Sequence, residues 1–183
     1  MRSRVAFVCV CVLITATGSR SMAQSKPSGN PLSAAVKAGW DGAKRNIVES
    51  ADQMPEANYS YKPTESVRTF GQILAHIAGA SYVFCSAAKG EKSPFAEEHF
   101  EKTATTRAAI IKAVQDSNAY CDSVVSSLTD AKAGESIDLP FGMGKAPRAQ
   151  ALIFNTGHLM EHYGNLVTYF RMKNMVPPSS KRQ

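Results

Sequence analysis

Cysteine is scarce in this sequence and badly placed for redox or zinc-ribbon chemistry. Only Cys9, Cys11, Cys85 and Cys121 occur, and none belongs to a C-x-x-C pair. A Gly-rich phosphate loop and a nucleophile elbow are both missing, so P-loop nucleotide chemistry and elbow-type serine hydrolysis have no support. No block of lysine and arginine appears, and the formal charge of the 183 residues is only +6. Setting aside the first 23 residues leaves 18 basic against 15 acidic side chains, a surplus of three. That surplus is too small to argue for a nucleic-acid partner. No internal repeat is visible. What is present is ordinary globular composition, 44% hydrophobic and 20% charged. A single domain of this size buries roughly 70% of its unfolded surface and needs neither metal nor disulfide merely to fold.

The long apolar run is at the amino terminus. Arg2 and Arg4 precede an uncharged stretch from Val5 to Ala16, too short for the roughly 20 residues that span a bilayer. Ser21-Met22-Ala23 places small residues at the −3 and −1 positions of a cut before Gln24. Residues 1–23 therefore read as a cleaved signal peptide, with a retained anchor as the alternative, and the mature protein is expected to be exported, periplasmic or secreted. Cys9 and Cys11 lack the small-residue context of a lipidated cysteine. No later segment is expected to be long and apolar enough to cross a membrane. Cys85 and Cys121 remain after cleavage; they read as two small buried thiols, with a disulfide as the alternative that an oxidising compartment permits.

Beyond a flexible linker (24–30), four helical segments are expected. Asn30-Pro31 supplies a cap and a first helical residue for a helix reaching about Met54. Residues 55–68 read as an ordered loop. Thr69 and Gln72 form a T-x-x-Q capping box for a second helix that Gly90 ends. The third helix is placed at roughly 100–128, and the fourth runs from Pro147 to about Asn174. A connection with a turn-like Pro140-Phe-Gly-Met-Gly144 joins them. Strand signals are weak, so the class is all-α, a four-helix bundle over 31–176 with a tail at 177–183.

The chemistry centres on histidine. His158 and His162 stand four apart on the fourth helix and share one face, a spacing that lets two imidazoles reach one cation. Their stripe, with Asn155, Asn165 and Tyr169, lies beside the apolar stripe of Leu152, Leu159, Tyr163, Leu166 and Phe170. It is polar but uncharged, as the lining of a cleft would be. His76 borders the apolar face of the second helix and is the best candidate for a third ligand, with Gly79 one turn on leaving room. His99, among Glu97, Glu98 and Glu101, reads as a surface histidine. His158-Leu-Met-Glu-His162 also matches the inverted zinc-peptidase pattern H-x-x-E-H. No Asp or Glu follows Glu161 to complete that set, and Glu161 points about 200° from Tyr163 by the helix period. Glu161 is expected at the surface.

At these residues the sequence resembles the DinB/YfiT-like superfamily. The matching elements are Met54-Pro-Glu with Tyr59-Ser-Tyr-Lys-Pro63, then Val67-Arg-Thr-Phe-Gly-Gln-Ile-Leu-Ala-His76, and finally the segment from His158 to Arg171. The resemblance implies a four-helix bundle with long connections. It also implies a site for a divalent metal such as zinc or nickel, with His76, His158 and His162 as ligands. The family includes transferases and isomerases that use low-molecular-weight thiols, and members without an established activity.

The expected function is a metal-dependent enzyme acting on a small molecule by hydrolysis or thiol transfer. The alternative is a non-catalytic metal-binding or sensing protein of the envelope. Asn155 and Asn165 are candidates to orient substrate, and Trp40 and Tyr61 to cover the pocket or simply to pack in the core. No nucleic acid and no stable membrane insertion are expected, and the apolar helix faces permit a homodimer.

Overall fold

The computed structural model describes residues 29–182; the expected signal peptide and the linker up to residue 28 lie outside the described residues. The chain is mostly helical, as expected. In order it forms α1 (Pro31–Gln53), α2 (Phe70–Lys89), α3 (His99–Thr103), α4 (Arg107–Ser126), α5 (Asp130–Ala133) and α6 (Arg148–Met172). A small antiparallel hairpin, β1 (Ser136–Asp138) and β2 (Lys145–Pro147), pairs Ile137 with Ala146. The four long helices make the bundle. Both α1 and α2 pack against α4 and α6, so α1 and α2 stand at opposite corners.

The connection from α1 to α2 must therefore cross the bundle, and it does so as hydrogen-bonded backbone. Tyr61 and Tyr59 carbonyls accept from the Phe70 and Gly71 amides at 2.9 and 2.8 Å, and the Tyr59 hydroxyl donates to the Ala51 carbonyl at 2.6 Å. Phe70 is the apolar anchor, packed edge-on against Tyr59 and Phe170 at centroid distances of 5.4 and 5.6 Å. Each such pair contributes about 0.5–1.5 kcal/mol beyond its buried area.

α2 starts as its sequence dictates. The Thr69 hydroxyl accepts from the Gln72 amide at 3.2 Å, and the Gln72 side chain accepts from the Thr69 amide at 2.8 Å. Gly90 closes the helix at φ 85°, in the left-handed region that glycine enters without steric cost. This helix corrects the expectation about membrane spans, since it is long and apolar enough by composition alone. Yet 83% of its apolar window is buried inside the protein, and its apolarity is that of a core element wrapped by partners.

Several expectations are corrected. The third helix is two, because Thr106 takes extended geometry and its hydroxyl accepts from the Ala109 amide, starting α4 afresh. Asn30 makes no side-chain cap to α1. Asp130 does so from a distance, accepting from the Leu32 and Ser33 amides at 3.1 and 2.8 Å, while Asn30 Oδ1 accepts from the Asp130 amide. The connection before α6 holds a short helix and a hairpin. The C-terminal segment lies against the bundle, with Tyr163 and Ser179 hydroxyls 2.8 Å apart and Arg182 bonded to Glu49 and Asn46. Finally, Cys85 and Cys121 are joined as a disulfide between α2 and α4, rather than standing as free thiols. Both are wholly buried, and the Asn155 amide lies 3.6 and 3.7 Å from their sulfurs.

Candidate metal centre

Because α2 packs on α6, the borders of their apolar faces meet, and the histidines carried there meet with them. Nε2 of His158 lies 3.1 Å from Nε2 of His76 and 3.0 Å from Nε2 of His162. One ligand atom from each of the three falls within 4.8 Å of the other two. Nitrogen ligands about 2.0–2.1 Å from a tetrahedral zinc stand about 3.3 Å apart, so the cluster is already close to the size of a coordination face. His76 and His162 are buried, and His158 is half-buried.

The donor set fits a divalent cation on two grounds. Burial first, and then the neighbouring imidazoles and Arg68, push His158 down to about 3. Burial and then His76 push His162 down to about 4, against the opposing pull of Glu161 and Glu101. Both rings are neutral near pH 7, as ligation requires. The second ground is hydrogen-bond accounting. A single proton placed among three crowded Nε2 atoms cannot satisfy every lone pair, whereas a cation satisfies all three. Among the described residues, Nδ1 of His158 and of His162 is buried without a partner. The rings are thus arranged for what their Nε2 edges face, at a cost on the other edge.

His76 is held differently, by a residue that sequence reading missed. Glu101, on α3, sits 3.1 Å from His76 Nδ1 and accepts a hydrogen bond from its N–H, the arrangement that turns the Nε2 lone pair toward the other histidines. Arg68 grips the same carboxylate through Nε at 2.9 Å and Nη2 at 3.3 Å. Glu97 lies on the other edge of the ring, its Oε1 3.7 Å from His76 Nε2. The only sequence signal for either residue was the acidic cluster around His99, and nothing in it distinguishes a partner of His76 from a solvated charge.

A cavity of about 770 Å³ opens beside the cluster, lined in part by His162, Asn165, Tyr169, Ile73, Lys62 and Arg68. Asn165, one of the two candidates to orient substrate, lines this cavity. Asn155 does not, because it is buried against the disulfide. Trp40 is likewise a core residue, 1% exposed, with its indole N–H donating to Asp122 at 2.7 Å. Tyr61 packs edge-on against Tyr169 beneath the Lys173 ammonium. Glu161 is exposed, as expected, and His99 is half-buried in a stack on Phe95. Gly79 leaves no empty space, because the Glu97 backbone fills it.

With this geometry in hand, comparison with known proteins places the fold. A family model described as the DinB superfamily matches residues 40–166. An uncharacterised protein, YjoA, from Bacillus subtilis (strain 168) is 28% identical over 130 residues, covering 69% of this chain and 82% of that protein. The crystal structure of YjoA, a DinB-like protein, superposes with a TM-score of 0.62 at 21% identity, covering 78% of this chain and 93% of the other. The mycothiol-dependent maleylpyruvate isomerase shares the fold with a TM-score of 0.60 at 15% identity, covering 73% of this chain and 60% of that one.

Proposed function

Because this chain belongs to the DinB superfamily, we propose that His76, His158 and His162 hold a divalent metal, zinc or nickel, and serve a metal-dependent enzyme acting on a small molecule. The observation that carries the reading is the convergence of three histidine Nε2 atoms beside a cavity of substrate size. A cation there would supply Lewis acidity, lowering the pKa of a water or thiol or polarising a carbonyl. Three protein ligands are the usual number at a catalytic zinc site, where one position is kept open.

The residues around the centre have separable tasks. Glu101 and Arg68 fix the tautomer and the angle of His76. Lys62, Asn165 and the Tyr169 ring form the wall along which a small substrate lies. The fold shared with a thiol-dependent isomerase supports a thiol as the nucleophile, and the open cavity is equally compatible with water. Export of the mature protein is part of the proposal. It is supported by the buried Cys85–Cys121 bridge, a kind of bond that persists in oxidising compartments.

The test is metal content by elemental mass spectrometry on protein purified without a histidine tag, beside His158→Ala. Near-stoichiometric zinc or nickel that disappears in the variant is the expected result, and screens for small-molecule hydrolysis and thiol transfer then follow. A wild type that stays metal-free after incubation with both ions overturns the reading.

A further inference from the structure

Glycine at position 79 is required by an approach so close that no side chain fits. A Cβ built there would lie 1.8 Å from the Glu97 carbonyl oxygen and 2.8 Å from its carbon. The chain between α2 and α3 is thus laid directly on α2, one turn beyond His76, and what this contact delivers to the centre is the Glu97 side chain. Two carboxylates then flank the same imidazole on opposite edges. Glu101 takes Nδ1, the edge away from the other histidines, whereas Glu97 Oε1 stands 3.7 Å from Nε2, the edge that faces His158.

Glu101 has a cation of its own in Arg68, and among the described residues no lysine or arginine pairs with Glu97. Its side chain is 33% exposed. A carboxylate set beside the point where the Nε2 atoms converge, with no lysine or arginine to balance it, is placed for a cation that the nitrogens can also hold.

We infer that Glu97 is a fourth protein ligand of the centre, delivered by the contact of its backbone with Gly79. The inference rests on the metal-binding reading of the three histidines. One carboxylate added to three neutral imidazoles reduces the net charge of a bound divalent ion from two to one and contributes a hard oxygen donor. Glu97 comes from a connection and is partly exposed, unlike the helix-borne histidines. It is therefore the ligand that a substrate entering from the cavity can displace.

The experiment titrates metal-free protein with zinc against a competing chelator, and records the visible spectrum after loading with cobalt(II). The proteins are wild type, Glu97→Ala, Gly79→Ala and His158→Ala. Glu97→Ala should bind zinc at least about 10–100-fold more weakly, the loss that even outer-sphere partners cause. Its cobalt spectrum should shift in intensity and position as the carboxylate is replaced by solvent, while the melting temperature of its metal-free form stays near that of wild type. Gly79→Ala should reproduce the affinity loss by pushing the Glu97 backbone away; if it does not fold, Glu97→Ala decides alone. Unchanged zinc affinity and cobalt spectrum in Glu97→Ala, with His158→Ala binding neither ion, overturns this inference and leaves the proposed function standing. A wild type that binds neither ion overturns both.

Discussion

The Glu101 carboxylate lies 3.1 Å from Nδ1 of His76, on the edge of the ring opposite the one that meets His158. Among the described residues it is the only hydrogen bond to Nδ1 of a histidine in the cluster, since Nδ1 of His158 and of His162 finds no partner. Glu101→Ala should therefore weaken zinc binding by about 10–100-fold. Glu101→Gln should cost less, because its amide oxygen still accepts from Nδ1. Calorimetric titration with zinc checks this, and equal affinity for Glu101→Ala and wild type would show that His76 is oriented by packing alone.

Acid should destabilise the metal-free protein in a window set by His158 and His162. Folding lowers both from 6.5, to about 3 and about 4, because burial disfavours the charged rings. Between those values the unfolded chain binds protons that the folded one refuses. Their contribution to stability is therefore complete above pH 6.5 and is lost as pH falls through about 4 for His162 and about 3 for His158. Denaturant midpoints of metal-free protein should decline across that range, and the double variant His158→Ala/His162→Ala should show a flatter profile. Parallel profiles for the two proteins would contradict the assignment.

A second pH effect belongs to Asp130, in a different window. Burial works to raise its pKa, but hydrogen bonds from Ser33, through amide and hydroxyl, and from the Leu32 amide together hold it below 3.8. Its contribution is present above pH 3.8 and lost as pH falls through the lower folded-state value. Asp130→Ala should melt below wild type at neutral pH, and the two curves should converge in strong acid. A melting difference that persists unchanged at pH 2 would mean that the carboxylate charge plays no part.

The Cys85–Cys121 bridge closes a loop of 36 residues in sequence and ties α2 to α4. By chain-entropy reasoning, Cys85→Ala/Cys121→Ala should lose about 3–4 kcal/mol in denaturant unfolding. Its metal affinity should change little, because the polar neighbours of the sulfurs are the Asn155 amide and the Ser81 carbonyl. Native protein should also resist reduction until it unfolds, since both sulfurs are wholly buried. Rapid labelling of the two thiols under native reducing conditions would show that the core opens on its own.

Helix ends written within four residues were legible. Thr69 with Gln72, and Gly90, act through bonds between near neighbours, so the sequence carries them whole. Thr106 and Thr129 are caps of the same kind, each accepting an amide three residues on, and the local signal for splitting the third helix was there to be read. The cap on α1 was not, because Asp130 reaches it across 97 residues of chain.

The same division runs through the site. The four-residue spacing of His158 and His162 follows from the helix period, and the apolar borders of α2 and α6 turn His76 toward them. Those facts, with the all-α class, belong to the sequence by itself. Glu101, Glu97, the Asn155 amide beside the disulfide, and the disulfide itself were decided by the tertiary structure. Each depends on two segments far apart in sequence being brought within a few ångströms, and no local periodicity encodes that distance. Gly79 shows the difference most sharply: its lack of a side chain is written in the sequence, but that the Glu97 backbone occupies the space is a property of the folded packing.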